Sequence, residues 1–109
     1  MMKKNKLLKY EIIIGLKDKD TYEQILPTSK IVSIVTSICK SNNIGYSIHT
    51  MDGGYIDNNG IYIQEKSLNI SLIYVTREQV LKIANILKDL FNQESVIVLE
   101  QKIDSYLIK

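Results

Sequence analysis

The spacing of apolar residues switches twice from strand-like alternation to helical spacing and back, and this order constrains the fold more than any single motif. "LLKYEIIIGL", residues 7–16, is β-branched and alternates, which predicts a strand. From Thr28, apolar residues recur three and four positions apart, which predicts an amphipathic helix. The later segments predict two strands, a second helix and a last strand, in the order 44–51, 61–75, 76–91 and 94–101.

The ends of both helices carry recognisable signals. The first helix begins at Pro27 or Thr28 and stops at the Ser-Asn-Asn run 41–43. Thr76 and Gln79 have the spacing of a capping box at the start of the second helix. Asn92 is placed to take a left-handed conformation just after that helix ends.

Strand, helix, strand, strand, helix, strand is the βαββαβ order of the ferredoxin-like fold. We therefore predict an α+β protein with a four-stranded antiparallel sheet, two helices on one face and a long hairpin between the second and third strands. A chain of 109 residues suits one domain. We expect a basic leader at 1–9, the domain at 10–101 and a short tail at 102–109.

The hairpin segment "MDGGYIDNNGIYIQE", residues 51–65, is the least ordinary stretch of the chain. Asp-Asn-Asn-Gly, residues 57–60, supplies the chemistry of a tight turn, so the segment predicts a projecting β-hairpin arm. The paired glycines Gly53 and Gly54 favour flexibility or a bulge, because neither a Walker loop nor a GxGxxG fingerprint is present. Ile61 and Ile63 have the opposite parity to Leu68 and Ile70, which predicts a register break near 65–67.

Charge and composition narrow the classes of partner. The net charge is +2, yet four lysines lie within the first nine residues and leave the remainder slightly acidic. With Arg77 as its one arginine, the chain does not favour nucleic acid as a partner. Cys39 is the one cysteine and is expected to be a small buried hydrophobe rather than a disulfide or zinc ligand. No segment is typical of a signal peptide or membrane span, so we expect a cytoplasmic protein without a membrane partner.

One face of the predicted sheet has no helix on it. Alternation places a partly apolar set there, namely Ile13, Ser47, His49, Met51, Asn69, Ser71, Ile73, Ile97 and Leu99. A contiguous apolar patch on an open face is typical of an association surface. We therefore expect a homo-oligomer formed through this face, with a self-complementary dimer as the first prediction.

No residue set in the sequence has the pattern of a catalytic or metal site. His49 is the one histidine, and Asp52, three positions later, falls on the opposite face of the same strand. Asp52, Asp57 and Glu65 lack the spacing of a calcium loop. We therefore predict no catalytic residue, no metal and no cofactor. Tyrosines at 46, 55, 62 and 74 suit either strands or a binding surface, but base stacking is not favoured, because Tyr46 and Tyr74 share the helix-covered parity.

Three stretches, "YEIIIGL", "MDGGYIDNNGIYIQEKSLNISLIYV" and "LFNQESVIVLE", resemble a family of small uncharacterised bacterial proteins. The resemblance covers most of residues 10–101. It rests on Gly15, Gly54, Tyr55, Asp57, Gly60, Glu65, Ser67, Leu68, Phe91, Gln93, Glu94, Ser95 and Val96. It implies a ferredoxin-like fold and carries over no activity.

The polar residues Glu65, Ser67, Gln93 and Glu94 fall at one end of the predicted sheet, where they form either structural ties or a small polar pocket. The candidate ligand- or partner-binding residues are His49, Met51, Gly53, Gly54, Tyr55, Asp57, Tyr62, Glu65, Gln93 and Glu94. The function predicted first is a non-enzymatic oligomeric module that binds a small molecule or a protein. Two alternatives stay open: an accessory or inhibitory protein of a mobile element, and a small enzyme that uses His49 with Tyr55 or Glu94.

Overall fold

The computed structural model describes residues 2–109, with side chains from Lys3 onward. Its elements are β1 (Met2–Gly15), α1 (Thr28–Ser41), β2 (Ser47–Ile56), β3 (Tyr62–Leu72), α2 (Arg77–Leu90) and β4 (Ile97–Ile108). The strands form one antiparallel sheet in the order β2-β3-β1-β4. This βαββαβ arrangement confirms the predicted ferredoxin-like α+β fold.

The core lies between the two helices and one face of the sheet. Period-two alternation on β1 and β3 sends every second side chain to that face, where Tyr10, Ile12, Ile14, Leu68, Ile70 and Leu72 are buried. Helical spacing supplies the opposite wall through Ile31, Val35, Cys39, Val80, Ile83 and Leu87. Cys39 is fully buried, as the sequence predicted.

Both ends of α2 have the geometry that the sequence predicts. The Thr76 hydroxyl accepts from the Gln79 N–H, and the Gln79 side chain accepts from the Thr76 N–H, so the capping box is formed. Asn92 takes φ 47°, and the N–H of Gln93 donates back to the carbonyl of Lys88 at 2.9 Å. This geometry satisfies the last carbonyls of α2 and fixes where the chain goes next.

The first and last strands of the chain, β1 and β4, are longer than the sequence indicates. Residues 2–9 of β1 pair with residues 101–108 of β4 in an unbroken register, from Met2↔Ile108 to Lys9↔Gln101. The lysine-rich segment and the tail therefore form a two-stranded ribbon, which gives the molecule extents of 52 × 27 × 23 Å. The division into a leader 1–9, a domain 10–101 and a tail 102–109 stays a prediction, and Met1 lies outside the described residues.

The predicted register break near 65–67 is wrong. The strands β2 and β3 pair continuously from Ser47↔Ser71 to Ile56↔Tyr62, without a bulge at Gly53 or Gly54. The apolar parity changes for a different reason: β1 ends opposite Ser67, and past that point Ile63 is buried on the other face.

Tyr74 also differs from its predicted place on the helix-covered face, because it follows the end of β3 at φ 58° and is 66% exposed.

Among the described residues, no helix has the length and apolar content needed to cross a bilayer.

The capping box at Thr76 provides a test of the fold. Thr76→Ala removes the hydroxyl that accepts the Gln79 N–H, and we expect it to lower the free energy of unfolding by about 1 kcal/mol in urea titrations. Thr76→Ser keeps an accepting hydroxyl and is the matched control. An alanine variant as stable as the serine variant would show that the cap contributes nothing.

Candidate functional site

A cleft of about 400 Å³ lies on the sheet face that the helices leave open. Its walls are the end of β1, the β2–β3 hairpin and the segment 93–97 that leads into β4. Seven of the residues predicted to bind a ligand or partner line it: Met51, Gly53, Gly54, Tyr55, Glu65, Gln93 and Glu94. The antiparallel register explains this grouping, because Gly53 stands opposite Glu65 and Met51 opposite Ser67.

Three predicted residues do not line the cleft. His49 is exposed beside Asn69 and precedes Tyr55 by six residues on one strand, a separation of about 20 Å at roughly 3.3 Å per residue. Tyr62 lies on the other face of the hairpin and is 64% exposed. Asp57 is buried in the hairpin turn.

Glu65 is the half-buried carboxylate at the centre of the cleft. Its Oε2 accepts from the main-chain N–H of Lys17 at 2.7 Å. Burial raises the pKa of the Glu65 carboxyl above its usual range, and the Lys17 N–H opposes part of that rise because it favours the charged form. A protonated Glu65 is therefore more accessible near neutral pH than an exposed glutamate would be.

Two glycines make room for this arrangement. A Cβ atom on Gly15 would overlap the Glu65 carboxylate, so the side chain can lie over the end of β1 only because Gly15 has none. A Cβ on Gly53 would lie 2.9 Å from the Ser67 Oγ, within the space of the cleft. The glycines are thus explained by close approach of side chains rather than by a bulge.

Tyr55 adds a phenol to the same cleft. Burial raises the pKa of Tyr55, and the carboxylates of Glu65 and Glu94 raise it further. The phenol therefore keeps its proton at neutral pH and presents a donor on a partly buried aromatic ring.

The Asp57 carboxylate has a structural role in the turn. Its Oδ1 accepts from the N–H groups of Asn59 and Ile61 at 2.9 Å each, and its Oδ2 accepts from the Tyr22 hydroxyl at 2.7 Å. The hydroxyl of Tyr22, followed by the N–H groups, lowers the pKa of Asp57. With Gly60 at φ 78°, these bonds confirm the predicted tight turn and tie the loop after β1 to the hairpin.

The cleft is acidic. The acidic residues that line it are Asp52, Glu65 and Glu94, and no lysine or arginine lines it. The Asp52 carboxylate is paired with the Lys66 ammonium at 2.6 Å, so Glu65 and Glu94 supply most of the negative charge. Ile13, Met51 and Ile97 supply an apolar wall. Across residues 2–109, no group of three or more histidine, cysteine, aspartate or glutamate side chains is arranged to hold a metal ion. The arrangement suits an organic cation with an apolar or aromatic part.

Sequence reasoning did not identify Lys17 or Tyr22 as part of this region, whereas alternation had already placed Ile97 on the open face with Ile13 and Met51. Lys17 contributes a main-chain N–H, which has no signature in the side-chain pattern. Tyr22 could have been found only from the position of the loop after β1 beside the hairpin.

The open face beyond the cleft carries the predicted association patch. Ile73, Ile97 and Leu99 are exposed on it, and the central Asn69 has a buried Oδ1 without a hydrogen-bond partner among the described residues. Glu11 also lies on this face, paired with Ser71 and Leu99 across the sheet. An exposed apolar patch around an unsatisfied polar group is typical of a surface that another molecule covers.

No family model and no curated protein matches the chain. Among solved structures, it is similar to a phage SAM lyase in complex with S-methyl-5′-thioadenosine, at 23% identity and TM-score 0.74, over 94% of this chain and 90% of that chain. It is also similar to CPII, a nitrogen regulatory PII-like protein from Thiomonas intermedia K12 bound to ADP, AMP and bicarbonate, at 19% identity and TM-score 0.54, over 94% and 98%. CutA from Synechococcus elongatus PCC7942 matches at 13% identity and TM-score 0.61, over 96% and 85%.

At these identities the likeness shows the fold alone. The PII-like protein and CutA share the ferredoxin-like arrangement, in agreement with the fold predicted from the periodicity. The finer motif resemblance to a small bacterial family stays a prediction.

Gly15 is the position where a small change should disturb the cleft most. Gly15→Ala places a methyl group against the Glu65 carboxylate, and we expect it to lower the free energy of unfolding by about 1–3 kcal/mol in urea titrations. Gly45→Ala is the matched control, since a Cβ there meets nothing within 4 Å, and it should change stability by less than about 0.5 kcal/mol. In a Glu65→Ala background the cost of Gly15→Ala should largely disappear; an undiminished cost would locate the clash elsewhere.

Proposed function

We propose that this protein is a small-molecule-binding module whose acidic cleft holds S-adenosylmethionine (SAM). The observation that carries the proposal is the charge of the lining, because the carboxylates of Glu65 and Glu94 face the cleft and no lysine or arginine is among the lining residues. Asp52 adds little to this charge, since its carboxylate is paired with the Lys66 ammonium at 2.6 Å. Two of the structurally similar proteins hold adenosine-containing molecules, S-methyl-5′-thioadenosine in one and ADP with AMP in the other. The charge of the cleft distinguishes between these ligands.

SAM carries a sulfonium cation beside its adenosine, whereas ADP and AMP carry phosphates. A single carboxylate 4 Å from a unit charge contributes on the order of 4 kcal/mol at an effective dielectric constant of 20, before solvent screening reduces it. This energy is attractive for the sulfonium and repulsive for a phosphate. The apolar wall of Ile13, Met51 and Ile97, with the ring of Tyr55, offers contact area for the purine.

Cleavage of SAM is a second candidate function. It is favoured by the pairing of a carboxyl whose pKa burial raises, Glu65, with a phenol that keeps its proton, Tyr55, because such groups can move a proton near neutral pH. In an elimination, the ionised Glu65 takes a proton from the carbon next to the one bonded to sulfur, and a carbon–carbon double bond forms in the four-carbon chain as the carbon–sulfur bond breaks. The electron pair of that bond goes to sulfur, so the adenosine product is neutral. An acidic cleft then holds the charged substrate more tightly than that product.

Calorimetry with a matched pair of ligands tests the proposed binding. SAM and S-adenosylhomocysteine differ in the methyl group that makes sulfur cationic, so we expect SAM to bind at least tenfold more tightly and AMP not to bind. Glu65→Gln should reduce the affinity for SAM at least tenfold and leave the weaker affinity for S-adenosylhomocysteine unchanged. The control is Asp104→Asn, which removes a carboxylate from the ribbon at the other end of the molecule.

Equal affinity for SAM and S-adenosylhomocysteine would contradict the role of charge, and tighter binding of AMP would contradict the proposal itself. Chromatography of the same SAM samples detects S-methyl-5′-thioadenosine. Its absence would exclude cleavage and leave the non-enzymatic binding module predicted first from the sequence.

We further propose that copies of the chain associate through the open sheet face, with a dimer as the first prediction. The exposed Ile73, Ile97 and Leu99 and the unpartnered Asn69 Oδ1 support this, because a second copy would remove them from water. A cytoplasmic location is part of the same proposal. The likeness to a phage protein supports the alternative of a mobile-element accessory protein. The separation of about 20 Å between His49 and Tyr55 along one strand gives no support to an enzyme that pairs those two residues.

Sedimentation velocity tests the association surface. Leu99 on the open face and Leu81 on α2 are almost equally exposed, at 45% and 44%, so Leu99→Lys and Leu81→Lys form a matched pair. We expect Leu99→Lys to raise the dissociation constant of self-association at least tenfold and Leu81→Lys to leave it unchanged. Only Leu99→Lys adds a charge to the patch. A wild-type chain that stays monomeric at several hundred micromolar would end this proposal.

A further inference from the structure

We infer that Gln93 is a positioning residue for the Glu65 carboxylate and acts on it through the main chain of Lys17. The inference deepens the proposed function, because it rests on Glu65 as the carboxylate that binds the ligand. The connection between Gln93 and Glu65 consists of hydrogen bonds within the protein and does not depend on the ligand.

Two short hydrogen bonds connect Gln93 to Glu65. The Gln93 Nε2 donates to the carbonyl oxygen of Lys17 at 2.7 Å, and the N–H of Lys17 donates to the Glu65 Oε2 at 2.7 Å. The carbonyl and the N–H of Lys17 belong to adjoining planar peptide groups that are joined at the Lys17 Cα, so only the φ and ψ of Lys17 separate their directions. By holding the carbonyl, Gln93 therefore limits the directions that the N–H donating to Glu65 can take.

Gln93 is itself rigidly held. Its side chain is 4% exposed, and the Nε2 also donates to the carbonyl of Phe91 at 3.2 Å. Its own N–H closes the end of α2 on Lys88. Lys17, in contrast, lies beyond the last residue of β1, where the N–H of Leu16 makes a final bond to the carbonyl of Lys66 at 3.0 Å. The helix end thus supplies the fixed point, and the first residues after β1 are oriented against it.

The charged groups around Glu65 set the consequence for its titration. The Lys17 ammonium from the loop favours the ionised carboxylate, Tyr55 faces it from β2, and Glu94 faces the same phenol from the segment before β4. Burial is the largest influence and raises the pKa of Glu65. Because the Lys17 N–H lowers that pKa, misdirecting the N–H must raise it, and a smaller fraction of Glu65 is then ionised at pH 7.

Asn92 provides a neighbouring contact against which the role of Gln93 can be measured. Its Nδ2 donates to the carboxylates of Asp18 at 2.9 Å and Asp20 at 2.8 Å, so it ties the same loop without touching Lys17 through its side chain. Asn92→Gly removes these bonds and suits the φ of 47°. Gln93→Met keeps the buried volume and removes the bond to Lys17.

The experiment follows the Glu65 carboxyl by ¹³C NMR during a pH titration of the ligand-free full chain. We expect the Glu65 titration of Gln93→Met to move to higher pH and that of Asn92→Gly to stay at the wild-type position, even if both variants melt at lower temperature. SAM affinity at pH 7 should fall about tenfold in Gln93→Met and rise again at higher pH as Glu65 ionises, whereas Asn92→Gly should keep the wild-type affinity at both pH values. A folded Gln93→Met with the wild-type Glu65 titration would overturn the inference.

A second measurement covers the case in which Gln93→Met does not fold. In the wild-type chain, the Lys17 amide and the Gln93 side-chain amide should shift together as Glu65 titrates, and both shifts should be absent in Glu65→Gln. Independence of the Gln93 amide from the Glu65 titration would overturn the inference. If both amides shift with the Glu65 titration but the protein does not bind SAM, the proposed ligand is rejected and the positioning role of Gln93 remains.

Discussion

The early end of β1 is the constraint on which the functional end of the molecule depends. β1 stops at Gly15, opposite Ser67, whereas β3 continues for five more residues towards the hairpin turn. Along that stretch β3 has no strand on its inner edge, and the space is taken by the loop after β1 and the residues that follow α2. The Glu65 carboxylate lies where β1 ends, because Gly15 has no side chain to exclude it. The cleft is thus produced by a mismatch in strand length.

The architecture could be predicted from sequence because its core uses one regular period in each element. Tyr10, Ile12 and Ile14 alternate on β1, and the caps at Thr76 and Asn92 mark α2 at both ends. The ribbon could not be predicted in the same way. Residues 2–9 are mostly polar, and their strand is held by main-chain pairing with β4, which leaves no apolar alternation to read. The false register break arose from the assumption that one face of β3 is covered along its whole length.

The candidate site was predictable where its geometry depends on side-chain identity and not where it depends on the main chain. Gly53, Gly54 and Glu65 were predicted as site residues from their place in the hairpin segment. The strand register then brings Gly53 opposite Glu65. The sole histidine attracted attention as a candidate for acid–base chemistry, yet His49 is not among the lining residues and lies six residues from Tyr55 on the same strand. The N–H of Lys17, which the carboxylate accepts, has no sequence signal, because every residue except proline offers one.

The net charge of the chain is positive, whereas the charge of the cleft is negative. A ligand in the cleft would interact mainly with the local charge. Five of the thirteen lysines, at positions 3, 4, 6, 9 and 102, lie on the ribbon, at the opposite end of a molecule 52 Å long. At physiological ionic strength the screening length is about 8 Å, so the field of those lysines is lost well before it reaches Glu65. The local potential is therefore set by Glu65 and Glu94 together with the nearby Lys17 ammonium, while Asp52 is paired with Lys66. The proposed preference for a cation over a phosphate rests on this separation, because the whole chain would attract anions by its net charge alone.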